Sequence, residues 1–226
     1  MPTHPDEQKL TLVEKIHEYD DVYTFIFKPE HPVEFEAGMY AHVRVPEGEE
    51  GHKTREFSIA SAPSEETVRF SAHTWEGSPY KVKLGSLAIG DTVDIFKIKG
   101  EAILSRGKDS QVVLIAGGIG IAPMRSILIE SGKLGTAIKP ILVHVAHGTY
   151  LYEEELAKLP NEQIRITRDE LDETLQDVTR KHIGAYYYVS GPPKFVIGIA
   201  GELKNLGVEE KNIITDEFTG YEEVVV

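Results

Sequence analysis

At 226 residues, with 41% hydrophobic and 27% charged residues, the chain has the composition of a globular protein with room for one large or two small domains. Its net charge of −13 argues against nucleic acid and anionic membrane surfaces as partners, and no apolar run reaches the length of a membrane span. The absence of cysteine removes disulfides, thiolate catalysis and cysteine-ligated zinc or iron–sulfur sites, and without a signal-peptide pattern the expected location is the cytoplasm.

In chain order, the first half alternates like a β domain. Leu10 to Ile16, Val22 to Phe27, Tyr40 to Val45, Phe57 to Ala60, Val68 to Ala72 and Val93 to Ile98 are short β-rich runs separated by turn clusters such as Lys-Pro-Glu-His-Pro. Six such strands predict an antiparallel barrel, which removes exposed edges by closing. One helix is predicted from Ser78 to about Leu87, with Ser78 as N-cap and Pro79 as first helical residue.

The polar stretch from Arg106 to Ser110 is the expected linker, placing the domain boundary near residue 107. Beyond it, apolar runs alternate with helical periodicity. Val112 to Ala116, Ile141 to Ala146, Ile164 to Ile166 and Tyr186 to Val189 read as strands followed by helices, hence a parallel sheet. The last helix, opening at Gly191-Pro192-Pro193, aligns Val196, Ile199, Ala200, Leu203 and Leu206 on one face. His144 and His147, at i and i+3 of a predicted strand, should face opposite sides as structural or solvent-facing residues. The charge is uneven: residues 150 to 226 hold 16 acidic and 8 basic residues, whereas residues 77 to 110 hold 6 basic and 4 acidic.

Val112 to Ile127 passes from an apolar run through Gly117, Gly118 and Gly120 to a helix opening at Pro123, with Gly132 as a stop. Such a turn bares N–H groups at the positive end of a helix dipole, where a pyrophosphate would sit, but a tight βα turn that binds nothing fits equally. The turn is also not Gly-x-Gly-x-x-Gly. A second motif, Arg55-Glu56-Phe57-Ser58, puts Arg55 and Phe57 on one side of a strand and Ser58 on the other; alone it reads as a surface arginine and a core phenylalanine. Ser190-Gly191-Pro192-Pro193 is the third.

In this order and spacing, the motifs resemble the ferredoxin–NADP reductase superfamily of flavin reductases, in a short form without an iron–sulfur domain, over nearly the whole chain. Arg55, Phe57 and Ser58 match its Arg-x-Tyr-Ser flavin motif, and Gly77-Ser78-Pro79-Tyr80-Lys81 with Gly90-Asp91 looks like its flavin-diphosphate segment. The glycine turn looks like its dinucleotide loop and Ser190 to Pro193 like its Cys-Gly-Pro-Pro.

The resemblance implies an FAD-binding β-barrel over residues 1–107 and an NAD(P)-binding α/β domain over 108–226, with ligands in the cleft between them. Arg55 would hold the flavin phosphate or ribityl chain, Phe57 would stack on the isoalloxazine, and the Ser58 hydroxyl would reach flavin N5. Ile59, His73 and Phe218 belong to the same cofactor set, the helix start at Ser78 would take the flavin diphosphate, and Ser58 and Ser190 would flank the hydride path. Departures from the pattern are Phe57 for tyrosine, Ser190 for cysteine, and a short passage from Ala146-His147-Gly148 into Tyr150-Leu151-Tyr152, lacking a longer loop and its arginine. The tail from Asp216 to Tyr221 supplies aromatics that are also compatible with plain packing.

The implied activity is oxidation of NADPH or NADH through FAD, with electrons leaving for a ferredoxin- or flavodoxin-like carrier, docked by Lys81, Lys83, Lys97 and Lys99. The alternatives are a reductase of small acceptors (ferric chelate, quinone, free flavin) and a non-catalytic flavin- or nucleotide-binding subunit. Thr167-Arg168 resembles the pair that holds the 2′-phosphate of NADP; a surface ion pair of Arg168 with Asp169 or Asp172 is the competing reading.

Overall fold

Alternating apolar and polar positions over the first hundred residues build one sheet, and continuous apolar runs after them build another. The computed structural model describes residues 4, 6–46, 54–75, 77–106, 111–134 and 139–218. The chain divides into two compact units, Met1–Ala102 and Ile103–Val226.

In the first unit, β1 (Gln8–Tyr19), β2 (Val22–Pro29), β3 (Tyr40–Arg44), β4 (Thr54–Ser58), β5 (Val68–His73) and β6 (Thr92–Lys99) form an antiparallel sheet of order β4-β3-β6-β1-β2-β5. The inward positions, among them Leu10, Leu12, Phe25, Phe27, Val43, Phe70, Val93 and Ile95, are buried, each contributing roughly 1.5–3 kcal/mol. The expected antiparallel barrel is present as a half-barrel. Its edge strands β4 and β5 share no ladder, and just beyond β4 the Ala60 N–H donates to Arg69 O of β5 at 2.8 Å and the Arg69 N–H to Ser61 Oγ at 3.1 Å. A short helix, α1 (Pro79–Gly85), ends before the expected Leu87.

In the second unit α2 (Ile103–Arg106) lies against α3 (Ile121–Lys133), and its Ile103 is buried. The expected linker residues 107–110 lie outside the described residues. Strands β7 (Val112–Gly117), β8 (Ile141–Val145), β9 (Gln163–Ile166), β10 (Tyr186–Gly191) and β11 (Ile213–Glu217) form a parallel sheet of order β11-β10-β7-β8-β9. Helices α4 (Glu153–Leu156), α5 (Leu171–Lys181) and α6 (Pro193–Asn205) complete the unit. The α5 core face follows the helical period through Leu171, Leu175 and Val178. In α6 the buried face is Phe195, Val196, Ile199 and Leu203, while Ala200 and Leu206 are half-buried.

Strand order rises from β7 through β8 to β9 on one side, and β10 lies on the other side of β7. The sheet therefore has its topological switch point between β7 and β10, where a crevice opens at the carboxyl ends of an α/β sheet.

Candidate functional site

The first cluster of candidate residues lies in the half-barrel. On β4, Arg55 and Phe57 share one face, and both rest on Tyr80: the guanidinium is 5.5 Å from its ring and the Phe57 ring 5.9 Å away at 27°. Phe57 also meets Phe70 at 5.9 Å and remains half-buried. Tyr80 is buried, and its hydroxyl donates to Val43 O at 3.0 Å. Desolvation holds that phenol far above the usual tyrosine range, and its ring supports Arg55 and Phe57.

Ser58, at the end of β4, is buried on the opposite side. Ile59 lies in the core just past the strand, with its N–H donating to Met39 O at 2.9 Å. Expected as a cofactor contact, it is buried, and this backbone bond anchors the chain immediately after Ser58. His73 is half-buried, its Nδ1 2.8 Å from Asp21 Oδ1.

Arg55 donates to Thr54 O at 2.8 Å and engages no carboxylate among the described residues. Lys81 stands within electrostatic reach of Arg55 and Asp21, 5.9 Å over the Trp75 ring, and burial draws its ammonium below the ordinary lysine range. A Cβ on Gly77 would overlap the Trp75 ring, which explains that glycine. Ser78 caps α1, its Oγ accepting from the Lys81 N–H at 3.5 Å, and Pro79 is exposed at the first helical position. With seven residues α1 has a weak dipole, so the cations Arg55 and Lys81 are the stronger attraction for an anion here. Of the lysines expected to form a patch, Lys97 and Lys99 lie within electrostatic reach of His42, and Lys81 within reach of Arg55.

The second cluster occupies the switch point. Gly118–Gly120 form a 3₁₀ turn that runs into α3. The glycines do different work. Gly118 has φ +54° with open space where a Cβ would stand, so its backbone is the bare one. A Cβ on Gly120 would come within 2.2 Å of Ser190 O, and one on Gly117 within 2.7 Å of the Phe195 ring. Gly120 is therefore also required by the close approach of the β10 backbone, and Gly117 by the Phe195 ring of α6. Pro123 is buried in the first turn of α3, and Gly132 lies inside that helix instead of ending it.

Ser190 is fully buried. Its Oγ donates to Asp216 Oδ2 at 3.1 Å, and the Tyr188 hydroxyl donates to the same oxygen at 3.3 Å. The serine expected beside the hydride path thus faces β11, a strand the sequence reading missed. Gly191 ends β10 and is buried, Pro192 caps α6, and Pro193 is its first residue. Phe218 is half-buried, its N–H donating to Gly191 O at 3.0 Å; Thr219 to Tyr221 lie outside the described residues.

His144, on β8, is buried with Nε2 3.0 Å from Gly118 O, and meets Tyr150 edge-on at 5.2 Å and 79°. The carbonyl accepts, so Nε2 carries the proton; burial pushes this imidazole down to about 4. His147 lies beyond the strand and is exposed. At the end of β9, Thr167 closes a capping box: its N–H and its Oγ1 both donate to Glu170 Oε2, at 2.9 and 2.8 Å. Those bonds hold the Glu170 carboxyl below the usual range. Arg168 is exposed and makes no ion pair among the described residues.

Sequence reasoning missed Arg125. It lies on the buried side of α3, fully enclosed, and pairs bidentately with Glu155: Nε to Oε2 at 2.9 Å and a terminal nitrogen to Oε1. Its guanidinium also lies 5.6 Å over Tyr152, a buried residue at φ +64°, a conformation costing on the order of 1–3 kcal/mol. The sequence shows only a cation one turn into a helix whose first half is otherwise mostly apolar; the Glu-Glu-Glu run that supplies its partner begins at Glu153, far along the chain.

The architecture is an antiparallel half-barrel followed by a parallel doubly wound sheet, with cations and aromatics on the first and a glycine turn at the switch point of the second. It is the ferredoxin–NADP reductase-like fold, and the superfamily resemblance read from the sequence stands. A ferredoxin NADP⁺ reductase from Neisseria gonorrhoeae, solved with FAD and NADP, superposes with a TM-score of 0.82 at 18% identity, over 95% of this chain and 99% of that one. A flavohemoprotein of Bacillus cereus is 27% identical over 92% of this chain and 60% of its own length. The reductase component of propane 2-monooxygenase from Mycolicibacterium goodii is 27% identical over 88% of this chain and 64% of its own length. The chain thus spans about three fifths of the length of such curated relatives. No protein-family profile matches it. Among the described residues no helix is long and apolar enough to cross a membrane.

Proposed function

We propose that the chain is an NAD(P)H-dependent flavoprotein reductase that binds FAD in its first unit and a nicotinamide coenzyme in its second, and passes electrons to a separate acceptor. The observation that carries this reading is the pairing on β4 of a cation and a half-buried aromatic, Arg55 and Phe57, over the buried Tyr80, with no carboxylate on Arg55 among the described residues. A guanidinium in that state suits a phosphate, and an adjacent aromatic suits a flat ring. The residues fit the group.

FAD, when bound, supplies the redox chemistry. The chain supplies position: Arg55 and Lys81 hold anionic oxygens, Phe57 offers a stacking face, Ile59 anchors the chain immediately after Ser58, and the glycine turn with α3 receives the coenzyme diphosphate. The Ser190 hydroxyl donates to Asp216, which orients it toward β11. Reconstitution with FAD, removal of free flavin, and mass analysis of the released flavin tests this. One FAD per chain is expected; FMN, or no retained flavin, contradicts it.

The coenzyme this site suits is NADH. The Thr167 hydroxyl, which would donate to a 2′-phosphate, is engaged by an ionised Glu170, and that carboxylate repels a second anion. Arg168 remains a competing attraction.

The acceptor is a carrier protein or a small oxidant. An acidic carrier would be drawn by the basic side chains Lys81, Lys83, Lys97 and Lys99, whereas a small oxidant needs no such face. Rates that fall as salt rises identify the carrier, and rates independent of salt the small oxidant.

A further inference from the structure

The most heavily anchored segment of the second unit, the stretch Tyr150–Leu156 after β8, has no role in the reading above. Glu155 is held by the fully buried Arg125, Tyr152 is buried beneath the same guanidinium in a left-handed conformation, and the Leu156 N–H donates to Tyr152 O at 2.9 Å. One aromatic of the segment, Tyr150, is not absorbed into the core. Its ring is half-buried, edge-on to His144, and His144 in turn holds the Gly118 carbonyl of the bare glycine turn. Its charged neighbours are Glu170 and Arg165, at the end of β9 and on it, and Glu153. Tyr150 therefore stands at the carboxyl ends of the strands, near both the bare glycine turn and the Thr167–Glu170 capping box.

We propose that Tyr150 is the surface on which the adenine of the coenzyme stacks, and that the Arg125–Glu155 pair is the positioning device that keeps it there. Adenine presents a π face without charge, so it is best met by an aromatic ring fixed in advance, which spares the ordering cost of binding. A bidentate pair between a fully buried arginine and a part-exposed glutamate ties this short loop to α3 in one geometry. This rests on the coenzyme reading given above, and the experiment separates the two.

ADP-ribose, which carries the adenosine diphosphate half alone, is titrated calorimetrically into the full chain. Tyr150→Ala is expected to weaken binding roughly 5- to 150-fold, as loss of one base stack does. Tyr150→Phe, which keeps the ring, should stay within about twofold of the wild type. Glu155→Gln should also weaken binding, whereas Tyr150→Ala with Glu155→Gln should bind no worse than Tyr150→Ala, because the pair acts through the ring. Additive losses in the double variant would overturn the positioning role. Unchanged affinity in Tyr150→Ala, or equal losses in Phe and Ala, would overturn the stacking role even if Glu155→Gln fails to fold. A wild-type chain that takes up no ADP-ribose would overturn the coenzyme reading and this proposal together.

Discussion

At the scale of single residues, the glycine turn separates two requirements that look identical in sequence. Gly118→Ala places a Cβ in open space on a left-handed residue and is expected to cost about 1–2 kcal/mol. Gly120→Ala drives a Cβ into the Ser190 backbone, which cannot rotate away, and should cost at least that, by roughly 1–3 kcal/mol or more of overpacking. Urea midpoints of the two variants check the order; a Gly118 variant less stable than the Gly120 variant would refute the assignment. Glu170 makes a second residue-level case. With Thr167 bound to it, the wild type should use NADH in preference to NADPH, and Glu170→Gln should raise NADPH use severalfold, up to about tenfold, with little change for NADH. Initial-rate ratios decide this, and a wild type that prefers NADPH would return the role to Arg168.

At the scale of elements, the sequence was most legible where periodicity and burial agree. The apolar run Val112–Ala116 could only be a strand buried on both faces, and the alternation in β4 placed Arg55 and Phe57 together, as they are. β11 was missed because Ile213 to Glu217 alternates over five residues at a sheet edge, with two acids where a core strand would be apolar. The Arg125–Glu155 pair was invisible because it joins residues 30 positions apart on α3 and α4. The packing partners of Gly117, Gly120 and Ser190 were not legible, because a sequence shows small residues without showing which neighbour requires them.

The link from β8 to the glycine turn yields a pH prediction. Folding holds His144 neutral down to about 4, while in the unfolded chain it takes a proton near its ordinary 6.5. Between those values the unfolded state binds more protons, so the stability this neutral imidazole contributes is complete above about 6.5. It is lost as pH falls toward 4, by at most about 1.4 kcal/mol per pH unit. His144→Gln, which can still donate to Gly118 O, should flatten the pH dependence of the urea midpoint in that window. An unaltered profile would show that His144 does not carry it.

At the scale of the whole molecule, the central claim is that a chain without cysteine moves electrons through a bound flavin, taken from a nicotinamide coenzyme. The two clusters belong to different compact units, and their cooperation shows only when hydride passes from one ligand to the other. The most direct measurement is anaerobic addition of NADH to the FAD-loaded chain while the flavin absorption is followed. Stoichiometric bleaching is predicted, with the colour returning when air is admitted. A flavin that stays bound and yellow in excess NADH and excess NADPH would contradict the account.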